Sequence, residues 1–189
     1  FCFMLSAAIP QFVSLLLMRT MLKDNGLVNN LLIQAGLISS PLPFLTNATW
    51  ARATVVIINL WVGIPFTMMQ VTGILQNIPG ELYEAARVDG AGEWEIVRNI
   101  ILPNLRFHIT FIALWETLGL LTNYVTIMLI TNGGPGVQTE VWALSAYHKA
   151  FSDSQYGYGA AISLVLIVVV MVLMLVIGAV MHHQEKSRS

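Results

Sequence analysis

The stretch EAARVDGAGEWEIVRNIILP, residues 84–103, is a polar segment inside an apolar sequence. Its six charged side chains are Glu84, Arg87, Asp89, Glu93, Glu95 and Arg98. The chain of 189 residues is 56% hydrophobic and only 10% charged, whereas a typical soluble domain is about 25% charged. This composition predicts a membrane protein whose polar segment leaves the bilayer.

Four apolar segments flank the polar stretch, and each is long enough to cross a bilayer, which takes about 20 residues. They lie at about 1–18, 53–75, 107–130 and 159–181. The sequence therefore predicts an all-α membrane protein with about four transmembrane helices in one domain, residues 1–189. A polar loop, 76–106, joins the second span to the third.

The chain begins with Phe1, inside an apolar run that lacks the charged beginning of a signal peptide. We expect it to be the C-terminal part of a longer protein. Pro10 and Pro65 fall within predicted spans. Prolines in membrane helices are tolerated where neighbours satisfy the freed carbonyls, which predicts that these two helices are packed against others.

The basic residues favour a cytoplasmic position for the polar loop and for the C-terminal tail, because Lys and Arg concentrate on the cytoplasmic side. The loop carries Arg87, Arg98 and Arg106, and the tail carries Lys186 and Arg188. Four basic residues on the opposite side are spread over a longer length. The excess of basic residues on the predicted cytoplasmic side is small, but it is consistent with four spans.

Within the loop the pattern predicts a helix, a glycine turn and a second helix. Pro79 and Gly80 open the first helix, good helix formers continue it to Val88, and Gly90 suits a left-handed C-terminal cap. The second helix is expected at about 92–101. The first helix is short and partly apolar, as suits docking into a partner's groove. The alternative is a solvated connector between two spans.

Two other segments are broken by glycine and proline. Residues 19–52 contain Pro41 and Pro43, which predicts an interfacial or re-entrant piece. The run at 133–135 ends the third span, and residues 138–151 are expected to form a short helix outside the core.

Several classes of protein are disfavoured by the sequence. The net charge is −1 with no basic cluster, which argues against a nucleic-acid surface. The one cysteine excludes an internal disulfide, and the four histidines have no metal-ligand spacing. No phosphate-cradling GxxxxGK[ST] loop is present, so the chain is not itself an ATPase. A membrane-embedded enzyme and an ion channel are weaker alternatives, because neither catalytic constellations nor a repeated filter-like loop occur.

The polar stretch also fits a family pattern: EAA, three residues, G, nine residues, I, one residue, LP. The chain thereby resembles the inner-membrane permease family of ATP-binding-cassette importers, which carry this pattern in a cytoplasmic loop. The segments NLWVGIPFTMMQVTGILQNIPGELYEAARVDGA, LITNGGPG and AYHKAF are similar to its carbohydrate branch, particularly the sugar-contacting subunit of the maltose type. The coupling residues that this resemblance implies are Glu84, Ala85, Ala86, Asp89, Gly90, Ile100, Leu102 and Pro103.

The resemblance implies the last four helices of a six-helix permease core in a prokaryotic cytoplasmic membrane. It implies a second permease subunit, two ATPase subunits that bind ATP and magnesium, and an extracytoplasmic solute-binding protein. This chain itself would hold no cofactor. Its first loop helix would be a coupling helix docked on one ATPase, and substrate would pass by alternating access.

Polar groups inside spans are costly and usually face a cavity or a partner. Glu116 and Asn123 are seven residues apart, or two helical turns, which predicts a common face. The resemblance implies five substrate-contact positions: Gly63, Phe66, Glu116, Leu120 and Asn123. Asn59 is the sixth candidate, because its spacing from Gly63 and Phe66 predicts that the three share one helix face. Where the maltose-type pattern has Tyr, Ser and Asn, this chain has Phe66, Glu116 and Leu120, which puts maltose itself in doubt.

The resemblance implies a sugar or oligosaccharide as the substrate, and sugar hydroxyls would suit the Glu116 carboxylate as a hydrogen-bond acceptor. Glycerol-3-phosphate, a polyamine or another small polar solute is the alternative. For Glu116 the alternative role is a contact with the partner permease or with the lipid interface.

Overall fold

The computed structural model of the chain describes residues 9–186, with side-chain surroundings as far as residue 179. This part is helical and contains no strand, which confirms the predicted all-α class. In chain order its elements are α1 (Gln11–Met21), α2 (Leu27–Gln34), α3 (Ala48–Leu75), α4 (Gly80–Val88), α5 (Glu93–Ile96), the π-helical turn π1 (Val97–Ile101), α6 (Leu102–Thr122), α7 (Val125–Ile130), α8 (Trp142–Tyr147), the π-helical turn π2 (His148–Ser152) and α9 (Tyr156–Lys186).

Two helices of the described region are long and apolar enough to cross a membrane, Ala48–Leu75 and Tyr156–Ala179. Helix α3 begins earlier than the predicted span at 53–75 because Asn47 caps it. The Asn47 side-chain oxygen accepts hydrogen bonds from the backbone N–H of Thr49 at 3.0 Å and of Trp50 at 3.4 Å. Pro65 lies buried within this helix.

The predicted first span at about 1–18, which Pro10 and Gln11 interrupt, is described only from residue 9 onward. Helix α1 begins only at Gln11, and Pro10 precedes it in an extended conformation as its N-cap. Its 11 residues make it about 16 Å long, roughly half of a bilayer core. Residues 1–8 of the predicted span lie outside the described residues.

The prediction of one helix over 107–130 is wrong. Helix α6 ends at Thr122, Asn123 leaves the helical region with ψ 88°, and the separate helix α7 starts at Val125. The Asn123 side chain accepts a hydrogen bond from the Thr126 N–H at 3.3 Å and donates to the Thr126 hydroxyl at 3.0 Å. Such local bonds offer the backbone an alternative to helix, although apolar residues continue on both sides.

The hydrophobic core lies where α1, α3, α7 and α8 meet. Its buried side chains are Leu15, Val55, Ile58, Ile127, Ile130 and Leu144. The prediction that residues 138–151 lie outside the core is therefore wrong, since Leu144 is 0% exposed. Val141 and Tyr147, three residues to either side, also pack against the core, so α8 inserts one apolar stripe.

Two arginines tie the loop 131–140 and helix α7 to the rest of this end of the molecule. The Arg52 guanidinium donates to the Gln138 carbonyl at 3.0 Å and to the Gln138 side-chain oxygen. Arg19 donates to the Leu129 carbonyl at 3.3 Å. Both arginines thus link helices that are distant in sequence.

The segment 19–52 folds around one buried amide. Asn29 on α2 is 0% exposed. Its side-chain oxygen accepts from the Leu42 N–H at 2.9 Å, and its NH₂ group donates to the carbonyls of Leu42 at 3.0 Å and Lys23 at 3.3 Å. The Asn29 amide thus holds the segment that returns from α2, because both its oxygen and its NH₂ group are hydrogen-bonded to backbone groups.

We predict that Asn29→Ala destabilises this end of the protein by roughly 2 kcal/mol, because it leaves buried backbone groups of Leu42 unpaired. Thermal unfolding of the purified protein in detergent measures the change. Asn30→Ala is the matched control, since Asn30 is exposed and makes one 3.4 Å bond to the Asn25 carbonyl. Equal melting temperatures for the two variants would contradict the role given to Asn29.

Candidate functional site

Helix α4 and the turn after it have the geometry that the loop pattern predicts. The helix starts at Gly80, directly after Pro79, and ends at Val88. Gly90 has φ +80°, a left-handed conformation that favours glycine. The Ala91 N–H returns to the Ala86 carbonyl at 2.9 Å and closes the helix. The predicted helix, glycine turn and helix are confirmed as local structure.

The surface of α4 is uncovered, and none of its residues is buried. Glu84, Ala85, Asp89 and Gly90 are exposed, and Ala86 is half-buried. Two large apolar side chains near these positions are exposed to solvent. The exposed fraction is 87% for Val88 and 73% for Trp94. Large exposed apolar side chains on a loop are typical of a protein contact surface.

The sequence reading identified neither Val88 nor Trp94 as a functional residue. Helical spacing tells which side chains share a face, but it does not tell whether the chain itself covers that face. The burial observed for the described residues supplies this information.

Polar contacts fix the turn between α4 and α5. The Gly92 N–H donates to the Glu95 carboxylate at 2.9 Å. Arg87 and Glu93 approach to 3.9 Å across the turn, with both side chains largely exposed. An exposed pair of this kind contributes little stability, so the glycine conformation and the backbone bonds carry most of the geometry.

The second helix of the loop does not end near Ile101 as predicted. Helix α5, π1 and α6 follow one another without interruption from Glu93 to Thr122. At the junction the Leu102 N–H bonds to the Val97 carbonyl, five residues back. Pro103 follows at once, and its ring and missing N–H conflict with a regular helix. The wider turn accommodates Pro103.

The three remaining residues of the family pattern lie at this junction. Ile100 is half-buried, whereas Leu102 and Pro103 are exposed. The Asn104 side chain donates to the Ile100 carbonyl at 2.8 Å and so satisfies one main-chain group of the widened turn. Apart from Pro103, no sequence pattern indicates the π-helical turn.

The six substrate candidates lie on α3, on α6 and just after α6, and these two helices pack against each other. On α3, Asn59 and Gly63 are half-buried and Phe66 is exposed. Their spacings of four and three residues put them on one side of a continuous helix. The Gly63 carbonyl accepts a hydrogen bond from the Thr67 hydroxyl at 3.2 Å.

Glu116 has an unusual environment on α6. The residue as a whole is half-buried, but its Oε1 atom is inaccessible and has no hydrogen-bond partner within the described part of the chain. A buried, unpaired carboxylate oxygen is costly and calls for a donor from elsewhere. Leu120, one turn later, is exposed.

Asn123 does not share a helical face with Glu116, contrary to the prediction. The two-turn argument requires a helix through Asn123, and α6 ends one residue before it. The amide of Asn123 is instead engaged with Thr126, which is fully buried at the start of α7.

A polar cluster beyond the C-terminal end of α6 was not predicted from the sequence. His148 Nδ1 lies 3.1 Å from the Glu140 carboxylate, and His148 Nε2 lies 3.3 Å from the Asn132 side-chain oxygen. Nearby, the Asp153 carboxylate bonds to the Lys149 ammonium at 2.8 Å and raises the pKa of Lys149. Among the described residues no group of three or more His, Cys, Asp or Glu side chains could hold a metal ion.

Comparison with known proteins gives a consistent picture. A family model described as the binding-protein-dependent transport system inner membrane component matches residues 1–189. The chain is 32% identical over 162 residues to the galactooligosaccharides transport system permease protein GanP of Bacillus subtilis, covering 82% of this chain and 39% of that protein. It is 34% identical over 128 residues to the maltose/maltodextrin transport system permease protein MalF of Klebsiella aerogenes, covering 68% of this chain and 25% of that protein.

Solved structures resemble the whole fold. A chain of a bacterial ABC transporter involved in the import of the acidic polysaccharide alginate aligns with a TM-score of 0.84 and 27% identity, over 95% of this chain and 63% of that chain. A bacterial alginate ABC transporter in complex with an alginate pentasaccharide-bound periplasmic protein aligns with a TM-score of 0.81 and 26% identity, over 92% of this chain and 60% of that chain. The chain thus spans only part of the proteins that it resembles.

We predict that Gly90→Ala loosens the turn after α4, because an alanine in the left-handed region costs about 1–2 kcal/mol. Hydrogen exchange of the Gly90-turn amides should become roughly five- to thirtyfold faster, the change in the opening equilibrium that this cost implies. Gly92→Ala is the control, since Gly92 has φ −72°, which any residue adopts. Unchanged exchange in Gly90→Ala would show that the turn does not depend on the glycine conformation.

Proposed function

The chain belongs to the family of binding-protein-dependent transport system inner membrane components, and on that premise we propose that it is part of a permease subunit of an ATP-driven importer for a sugar or oligosaccharide. The carbohydrate relatives support this substrate class: galactooligosaccharides and maltodextrin in Bacillus subtilis, maltose in Klebsiella aerogenes. The alginate transporters, which have the same fold, add a further saccharide.

The proposed arrangement sets this chain in a prokaryotic cytoplasmic membrane, crossing it several times. Helices α3, α6 and α9 cross the membrane, and the loop 76–106 lies on the cytoplasmic side. A second permease subunit completes the path, and two ATPase subunits bind ATP and magnesium below it. An extracytoplasmic solute-binding protein delivers the sugar, as the periplasmic protein in the alginate complex suggests by analogy.

The observation that carries the proposal is the uncovered surface of α4. A helix of nine residues with none buried needs a partner to hold it in one position. Docking into a groove of an ATPase subunit would cover Val88 and Trp94, and the small side chains Ala85 and Ala86 would allow close approach of the two backbones. Glu84 and Asp89 offer carboxylates to basic groups of that partner.

The alternative, in which the loop is a solvated connector, leaves the apolar exposure unexplained. A solvated connector is polar over its whole surface. The loop instead presents Val88 and Trp94 beside its charges, as a contact surface does.

The substrate path in this proposal passes the six candidates on α3 and α6. In this proposal the Glu116 side chain turns towards the path, so that its carboxylate, unpaired at Oε1 in this structure, accepts a hydrogen bond from a sugar hydroxyl. Phe66 and Leu120 offer exposed apolar surface beside it. A carboxylate in the path favours a neutral sugar over an acidic one, because like charges repel. A polyamine, which carries positive charge, is the second candidate for the same reason.

The proposal as a whole is tested by transport. The complete importer, with its ATPases and binding protein, is reconstituted in vesicles with ATP supplied on the ATPase side. Uptake of labelled galacto- and malto-oligosaccharides is compared with uptake of glycerol-3-phosphate and spermidine. Import of a sugar is expected, whereas import of spermidine alone would replace the proposed substrate class by the alternative.

We predict that Val88→Ser weakens coupling, since it removes an apolar side chain that docking would bury, worth about 1.5 kcal/mol. ATP hydrolysis stimulated by the loaded binding protein should fall roughly fivefold to tenfold. Leu37→Ser is the matched control, because Leu37 is a similarly exposed aliphatic residue outside the loop. Equal hydrolysis rates in both variants would contradict docking through this face.

We predict that Glu116→Gln raises the KM for the imported sugar roughly tenfold, because it replaces a charged hydrogen-bond acceptor by a neutral one. The KM is obtained from uptake into vesicles measured over a range of sugar concentrations, or from uptake measured without the binding protein. Thr110→Val is the control on the same helix, since the Thr110 hydroxyl bonds only to the Arg106 carbonyl at 2.9 Å. An unchanged KM over the whole sugar panel would remove Glu116 from the substrate path.

A further inference from the structure

A pocket of about 320 Å³ opens between α8, π2 and the first turns of α9. Four aromatic rings line it: Tyr124, Tyr147, Phe151 and Tyr156. Its volume is at the lower end of the range found for small-ligand sites. None of the six substrate candidates lines it, although Tyr124 directly follows one of them, Asn123.

The aromatic rings form a continuous series. Tyr124 and Tyr147 are stacked, with ring centroids 5.3 Å apart and planes at 23°. Tyr147 and Phe151 are 5.1 Å apart, and Phe151 meets Tyr156 edge to face at 6.3 Å. The inner pair is half-buried, whereas Phe151 is 66% and Tyr156 64% exposed. The series therefore runs from the core cluster out to an open corner.

The rings are held in place by an unusually close helix contact. A Cβ atom added to Gly159 on α9 would lie 2.7 Å from the Ala150 Cβ and 2.8 Å from the Ala146 carbonyl oxygen. Only glycine permits this approach of α9 to π2. Small side chains at the contact leave open space in front of the rings instead of filling it.

The chemistry of the lining indicates what the pocket binds. It contains no Leu, Ile, Val or Met, which a pocket for an acyl chain or for a partner's apolar helix would use, and no Lys or Arg, which a phosphate headgroup would need. Within the described residues the hydroxyls of Tyr124, Tyr147 and Tyr156 have no hydrogen-bond partner, so three donors remain available. Rings with free hydroxyls offer an apolar face and a polar edge.

A pyranose ring has the complementary construction, with C–H bonds on its faces and hydroxyls at its edge. The partly positive C–H groups are attracted to the negative face of an aromatic ring. We propose that this pocket is a sugar-stacking subsite, distinct from the Glu116 face, which holds one ring of an oligosaccharide on Phe151 and Tyr156 before it reaches Asn123. This inference rests on the proposed function, sugar import, and adds a second contact point for chains of more than one unit.

The test uses the complete reconstituted importer and an oligosaccharide series, maltose to maltotetraose and the corresponding galactooligosaccharides. Phe151→Ala and Tyr156→Ala each remove one exposed ring, and both substitutions are at surface positions that the core does not need. Each should raise the KM for tetrasaccharide about three- to tenfold, with a smaller effect on disaccharide, and leave basal ATP hydrolysis unchanged. Tyr156→Phe keeps the ring and should retain most of the tetrasaccharide affinity.

Trp142→Ala is the matched control, because Trp142 is an exposed aromatic residue on α8 that does not line the pocket. If the wild-type importer takes up sugars and the two pocket variants behave as Trp142→Ala does, the subsite is wrong while sugar import stands. A change of uptake that is equal for all sugars and varies with the lipid used would identify a lipid site and overturn the subsite. Failure of the wild type to import any sugar would overturn the proposed function and the subsite together.

Discussion

Burial of six apolar side chains where α1, α3, α7 and α8 meet is the interaction on which the rest of this structure depends. The cluster lies near the start of α3 and beyond the end of α6, so it fixes one end of both long helices. The other ends lead into the loop that carries α4. From Val55 in the core to Leu75 the helix rises about 30 Å, close to the thickness of a bilayer core.

This distribution of contacts gives the two ends different properties. The core end is pinned by Arg19, Arg52 and Asn29 as well as by apolar packing. The loop end has an uncovered helix joined by a glycine turn to a helix that runs without interruption to Thr122. About 45 Å of helix thus joins the turn after α4 to the region of Asn123 and the aromatic pocket. In the proposed importer, this helix would connect the proposed ATPase contact at α4 with the proposed sugar sites.

Local features that depend on short sequence patterns, such as the ends of α4 and the turn after it, were predictable. Pro79, Val88 and Gly90 set the bounds of α4 because capping depends on the residues at the helix ends themselves. The break at Asn123 was not predictable from hydropathy, since apolar residues continue across it. The burial of Leu144 was not predictable from the sequence, because it depends on a cluster whose other members are remote in sequence, such as Leu15 and Val55. The aromatic pocket likewise depends on the approach of α9 to π2 at Gly159.

The central claim, that α4 docks on an ATPase subunit, is tested most directly by labelling one cysteine on that helix. In a chain with Cys2 replaced by Ser, Ala85→Cys sets an exposed thiol on α4, and Leu37→Cys sets another far from the loop. Maleimide labelling is measured in the assembled transporter and after removal of the ATPase subunits. If α4 docks on an ATPase subunit, Ala85→Cys is protected from maleimide only in the assembled transporter, while Leu37→Cys reacts equally in both states. Equal labelling of position 85 in the two states would contradict this docking.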